Sequence, residues 1–202
     1  MLIEPIDEED PIRIFNDIEK LRLTRNLFEI SRSIRATDSK TKDYSISLIC
    51  SWHKSLFDGV RDHAGRYRTT DYGEERLTFG SHRSVAREDV SVELNKHISV
   101  TNNLLAQLQE LDEKITPLQF VEECIKAALY LHAEFIKIHP FRDGNGRVGR
   151  LIITFILSKF DLPPLAIEIP RQEYIQSLNH YYSFKQIDPL LQLALRIYKN
   201  QL

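Results

Sequence analysis

The sequence predicts an all-α fold, a bundle of about seven to eight helices interrupted by one small β-hairpin. Three observations carry that reading. Apolar residues recur at helical spacing in one segment after another. Thr116-Pro117-Leu118-Gln119 spells a helix start, with a capping threonine, a proline at the first helical position and a glutamine to close a capping box. The run beyond Arg150 is apolar nearly all round, as a buried helix requires.

In chain order, residues 1–10 are acidic and irregular and read as a flexible tail, leaving 11–202 as a single domain. From Pro11 to about Ile34, the spacing of Ile14, Ile18, Leu21, Leu27 and Ile30 predicts one or two helices. Asp38-Ser39-Lys40-Thr41 is a polar break. The next helix runs to about Phe57 with Tyr44, Leu48, Trp52 and Leu56 on one face. His53 on it reads as a helix-surface or hydrogen-bonded core histidine rather than a ligand. Asp58 to Arg87 has weak periodicity and many charges. Thr69 to Gly73 reads as a turn and Arg76-Leu77-Thr78-Phe79-Gly80 as a short extended segment, together a small hairpin.

Glu88 to about Leu111 is a further predicted helix. The one opening at Pro117 places Phe120, Cys124, Ala127, Ala128, Leu131, Phe135 and Ile138 on one stripe, whose small residues predict a close helix–helix contact. Pro140 disfavours the αR conformation at His139, so this central helix should stop there. Arg147 to Phe160 follows as the buried helix, ended by Asp161-Leu162-Pro163-Pro164. Two more helices are predicted, from about Pro170 to Tyr182 and from Pro189 to Tyr198.

A chain of 202 residues, 42% hydrophobic and 28% charged, has the make-up of an ordinary globular domain. A formal net charge of −2 gives no global positive field for binding nucleic acid. The longest apolar run, Leu151 to Leu157, is far short of a membrane span. Cys50 and Cys124 lie on apolar helix faces without metal-ligand spacing and read as buried structural thiols. With no signal peptide in view, a reducing cytoplasm is the expected compartment; delivery into another cell by a route that needs no such signal stays open.

Chemistry concentrates between His139 and Arg150, where His139-Pro140-Phe141-Arg142-Asp143-Gly144-Asn145-Gly146-Arg147-Val148-Gly149-Arg150 combines an imidazole, a carboxylate, three guanidiniums and three glycines. Glycines let consecutive N–H groups converge on an anion. Arginines clamp phosphate oxygens, a carboxylate holds a hard metal ion, and a histidine moves a proton near neutral pH. The helix after the loop opens directly out of it, so loop amides and helix dipole point at one place. Gly144-x-Gly146-x-x-Gly149 also fits a dinucleotide fingerprint, and Gly144 to Arg150 a P-loop. Both demand a strand before the glycines, and here a helical period precedes them.

The segment resembles, at every specified position, the His-x-Phe-x-Asp/Glu-Gly-Asn-Gly-Arg-x-x-Arg signature of the Fic family. Trp52-His53-Lys54-Ser55-Leu56-Phe57 and Ala64-Gly65-Arg66-Tyr67-Arg68-Thr69 resemble that family's upstream block; Arg171 to Tyr174 and Asp188-Pro189-Leu190 resemble its C-terminal part. The resemblance spans roughly residues 45 to 195. It implies a Fic-type helical bundle that transfers AMP from Mg·ATP to a Ser, Thr or Tyr hydroxyl of a target protein. Relatives that move UMP, phosphocholine or phosphate keep much of this scaffold, and a silent peptide-binding module is the reading from another class.

The motif chemistry and the resemblance agree on roles. His139 is the general base; the alternative is a helix-capping histidine. Phe141 anchors the loop. Asp143 is the Mg²⁺ ligand, or else simply pairs with a motif arginine. Gly144, Asn145 and Gly146 form the amide nest, with the Asn145 side chain a further donor to the α-phosphate. Arg147 and Arg150 face the β- and γ-phosphates, each such donor being worth about 3–4 kcal/mol. Arg142 and Val148 receive no role. The hairpin, about 69–86, corresponds to the family's flap, whose Thr78, Phe79 and Gly80 would hold the target peptide by strand-like hydrogen bonds.

Many Fic proteins are held inactive by a helix reading Ser/Thr-x-x-x-Glu-Gly/Asn, and residues 28–37 occupy the corresponding place. Ser31 matches, but Arg35 stands at the glutamate position and Ala36 at the glycine. The expectation is that this clamp is absent, with room left for a regulatory or antitoxin-like partner.

Overall fold

The computed structural model describes residues 15–36, 42–79, 82–165 and 170–199. Within them lie seven helices, α1 (Asp17–Ala36), α2 (Ile46–Leu56), α3 (Val90–Leu111), α4 (Pro117–Ile138), α5 (Asn145–Lys159), α6 (Arg171–Phe184) and α7 (Asp188–Lys199). One antiparallel hairpin, β1 (Thr78–Phe79) and β2 (His82–Arg83), separates α2 from α3. The all-α expectation holds. The predicted residue 1–10 tail and Gly80 lie outside the described residues.

Helix α4 is the organising element and packs against α3, α5 and α7. It starts as expected: the Thr116 side chain accepts from the Gln119 N–H, and Gln119 reaches back to the Thr116 N–H. The predicted close contact is made with α5. A Cβ on Gly149 would stand 2.6 Å from His132 Nδ1, so only glycine lets the two helices approach this far. Most of α5, from Asn145 to Leu157, is buried, which accounts for its apolar circumference.

The boundaries differ at three places. Among the described residues the stretch expected to hold one or two helices is one helix beginning at Asp17, where Asn16 and Glu19 form a reciprocal cap, each backbone N–H donating to the other's side chain at 2.9 Å; residues 11–14 lie outside the described residues. Helix α2 begins after Tyr44, capped by Ser45, and tilts so that Ile49 and His53 are buried beside Trp52 and Leu56. The extended segment expected at 76–80 pairs only at 78–79. Below that pair the hairpin's base is held by backbone and side chains together: the Ser84 N–H donates to the Leu77 carbonyl at 2.8 Å, the Leu77 N–H to Ser84 Oγ at 2.8 Å, and Arg76 Nη1 to the Ser84 carbonyl at 3.0 Å.

Both cysteines are free thiols. Burial pushes Cys50 up to about 11 and Cys124 up to about 12, so neither forms thiolate at neutral pH.

Candidate active site

Helix α4 ends at His139, whose backbone adopts the left-handed conformation at φ 52°, ψ 58°. Pro140 rules out continuing the helix, and a non-glycine residue in this region costs on the order of 1–3 kcal/mol. The surroundings hold it there. The buried His139 ring places Nδ1 3.1 Å from the Ile136 carbonyl. A carbonyl only accepts, so in the neutral ring Nδ1 carries the proton and Nε2 carries the lone pair.

The main restraint on His139 is Arg68, a residue outside the motif. Its buried guanidinium donates to the His139 carbonyl at 2.8 and 3.0 Å and to the Ile138 carbonyl at 3.2 Å. On its other side it donates to the carbonyls of Glu74, Glu75 and Val85 and to Ser84 Oγ. The Arg68 N–H also donates to the Pro140 carbonyl at 2.8 Å. One side chain thus satisfies the last carbonyls of α4 and fastens the hairpin's base to the histidine. Burial pushes its guanidinium down to about 10, still charged at neutral pH.

His53 does the same for the loop. The Gly65 N–H donates to Nδ1 at 2.7 Å, so Nε2 bears the proton and donates to the Asp143 carbonyl at 3.1 Å. Burial pushes this imidazole down to about 3. Its ring stacks on the fully buried Phe141, centroids 3.9 Å apart and planes within 10°. Asn145 closes the loop across itself: Oδ1 accepts the Phe141 N–H at 2.9 Å and Nδ2 donates to the Phe141 carbonyl at 2.8 Å. The side chain expected to donate to a phosphate therefore works first as a brace, with at most one amide proton left for a ligand. Gly144, at φ 76°, presses on the Phe57 ring, and no side chain fits there.

Asp143 is buried beneath the start of α5. Its Oδ1 accepts the Gly144 N–H at 2.6 Å and lies 4.0 Å from Arg147 Nη1; Oδ2 faces Arg61 Nη2 at 3.9 Å. Phe15, just before α1, lies over both guanidiniums, 4.2 Å from that of Arg61 and 5.5 Å from that of Arg147. Arg150 is half-buried and close enough to His132 to add to the burial that pushes that imidazole down to about 4. The structure thus groups Asp143, Arg147 and Arg61. Arg142, given no role from sequence, forms a two-pronged ion pair with Glu74 at the hairpin's base, closest approach 2.7 Å.

Residues 28–36 lie elsewhere. Glu29, Ile30, Ser33 and Ile34 line a cavity of about 350 Å³ with Trp52 and Phe155. Phe155 is eight residues beyond Arg147, about 12 Å along α5. Among the described residues no ion pair joins this segment to Arg150.

The buried histidines make a prediction. His53, at about 3, and His97 and His132, each at about 4, are depressed by burial below the ordinary 6.5. Below pH 6.5 the unfolded chain takes up protons that the folded chain refuses. Their stabilising effect is therefore present above that pH and lost as pH falls toward 4, at about 1.4 kcal/mol per histidine per pH unit. Urea midpoints should drop steeply between pH 6.5 and 4.5, and His97→Gln should make that slope shallower. An unchanged slope in the variant would refute the assignment.

A helical bundle whose central helix delivers a histidine to a glycine loop, with the next buried helix opening directly out of that loop, is the architecture of a Fic-type domain. The chain belongs to the Fic/DOC family, which it matches over residues 43–157. It is 31% identical over 142 residues to the protein adenylyltransferase Fic of Nematostella vectensis, covering 69% of this chain and 29% of that protein. To a probable protein adenylyltransferase of Aquifex aeolicus it is 29% identical over 172 residues, 85% of this chain and 47% of that protein. The chain thus spans less than half the length of either relative. Among solved structures, Fic-1 of C. elegans superposes with a TM-score of 0.67 at 22% identity, over 94% of this chain and 52% of that one. The Bartonella tribocorum effector BepC, solved with bound AMPPNP, gives 0.64 at 16% identity over 90% and 86%.

Proposed function

We propose that this domain is a protein adenylyltransferase that moves AMP from Mg·ATP to a Ser, Thr or Tyr hydroxyl of another protein. The observation carrying the reading is the Nδ1 hydrogen bond of His139 to the Ile136 carbonyl, which leaves the lone pair of the neutral ring on Nε2. The relatives named protein adenylyltransferases, and the AMPPNP bound by BepC, support an ATP donor.

In this reaction the acceptor oxygen attacks the α-phosphorus as its proton passes to His139 Nε2. The bond to the β-phosphate oxygen breaks, and pyrophosphate leaves with the electron pair. The backbone amides at the start of α5, with Arg147 and Arg150, neutralise the charge that grows on the phosphates.

Among the described residues no cluster of three or more His, Cys, Asp or Glu could cage a metal. The single carboxylate of Asp143 fits Mg²⁺ arriving with the nucleotide, since that ion takes one or two carboxylates and fills its other positions with phosphate oxygens and water. Bound there, it would add Lewis-acid stabilisation of the phosphates.

The test is incubation of the purified protein, with candidate acceptor proteins, in ATP labelled at either the α- or the γ-phosphate. Label entering protein from the α position alone is the expected result. Label from the γ position alone would replace the reading with kinase chemistry.

A further inference from the structure

We propose that Arg61, outside the sequence motif, is a third guanidinium of the nucleotide's polyphosphate site, acting with Arg147 on the β- and γ-phosphates. The inference rests on the proposal that the donor is a nucleoside triphosphate. Arg61 lies in the loop after α2, with its side chain only 4% exposed. Neither its Nη1 nor its Nη2 makes a hydrogen bond. A buried guanidinium without acceptors is costly, and packing alone would be served better by an apolar side chain of similar volume.

The surroundings indicate what the donors are for. The Phe15 ring covers the face of the guanidinium at 4.2 Å, which holds its plane while leaving the in-plane N–H groups to other acceptors. The nearest carboxylate oxygen, Asp143 Oδ2, stands 3.9 Å away, beyond hydrogen-bond reach. Arg147 approaches the same carboxylate at 4.0 Å and the same ring at 5.5 Å. Among the described residues two guanidiniums thus flank the one carboxylate of Asp143 beside the first turn of α5, and a polyphosphate would add the acceptors that the Arg61 Nη groups lack. A fork of in-plane donors suits phosphate oxygens in particular.

The experiment is calorimetric titration of wild type, Arg61→Met and Arg61→Lys with ATP, ADP and AMP, in EDTA so that no metal contributes. Arg61→Met should weaken ATP and ADP binding by roughly tenfold to a hundredfold and AMP binding by less than about twofold. Unliganded Arg61→Met should melt no lower than wild type, since an unsatisfied buried charge has been removed. Arg61→Lys keeps the charge without the fork and should fall between the two; should Arg61→Met fail to fold, a larger loss for ATP than for AMP in Arg61→Lys supports the same role. Equal ATP affinity in wild type and variants, or equal losses for ATP and AMP, overturns the role of Arg61 while leaving the donor reading intact. A wild type that binds AMP as tightly as ATP overturns that reading, and this inference with it.

Discussion

His139→Ala is expected to reduce AMP transfer by roughly 10²–10⁴-fold while leaving ATP affinity within about twofold of wild type. The two halves of this result come from different atoms. Transfer needs an acceptor for the hydroxyl proton, and Nε2 is the lone-pair atom that the Ile136 bond assigns. In the proposed reaction nucleotide binding would draw on the amides of the first turn of α5 and its arginines, which the substitution leaves in place. The αL backbone of His139 raises a competing explanation, because a side-chain change there could relax the end of α4 instead. His139→Asn separates the two, since asparagine tolerates αL better than most residues yet offers no base. Both variants should be equally inactive. Full activity in either would remove His139 from the chemistry, and lost ATP affinity in both would make it structural.

How far the sequence reached depended on whether a feature is local. Pro140 acts on its neighbour, so the end of α4 at His139 was legible, as were the Thr116–Gln119 cap and the buried character of α5. The family signature located the loop from His139 to Asn145. It did not disclose that Asn145 braces Phe141, because both partners are backbone atoms that no residue type advertises. Arg61 and Arg68 were harder. They are two among 27 basic residues, and nothing in their neighbours' identities marks them as buried. Arg68 bonds to acceptors that run from Glu74 to His139, six to 71 residues away, which only the fold brings together. The usable hint was its place in the upstream block that resembles the family. His53 stood in the same block; of its two readings, helix surface or hydrogen-bonded core, the structure has the second, and that its bonds run to Gly65 and Asp143 required coordinates. The expectation that the inhibitory clamp is absent was drawn from the family pattern, which Ser31 matches and Arg35 and Ala36 break. In three dimensions Phe15 lies 5.5 Å from the Arg147 guanidinium, while Ile34 lines a cavity with Phe155.

Arg68→Met should be the most destabilising single substitution near the site. Its guanidinium is wholly buried and serves carbonyls at the end of α4, at the hairpin's base and at Val85 in the segment leading to α3, together with Ser84 Oγ. Methionine matches much of the volume, so the loss is not a cavity but a set of buried acceptors left without donors. Hydrogen bonds to a charged group contribute about 1.5–3 kcal/mol each and are not additive in a network. Removing the hub places this variant in the rare class above about 4 kcal/mol. For a domain of this size that corresponds to a melting-temperature drop of about 8–16 °C. Arg68→Lys keeps the charge but cannot span acceptors on both sides, and should recover only part of the loss. Function should fall along a separate axis. At a temperature where Arg68→Lys is fully folded, kcat should drop because the His139 carbonyl and the hairpin are no longer fixed to one another. ATP affinity should hold, since Arg68 makes no bond to residues 143–150. A melting temperature within about 2 °C of wild type for Arg68→Met, no more than the smallest shift expected for 1 kcal/mol, would show that water or backbone rearrangement satisfies those carbonyls. It would end the case for Arg68 as the joint between hairpin and histidine.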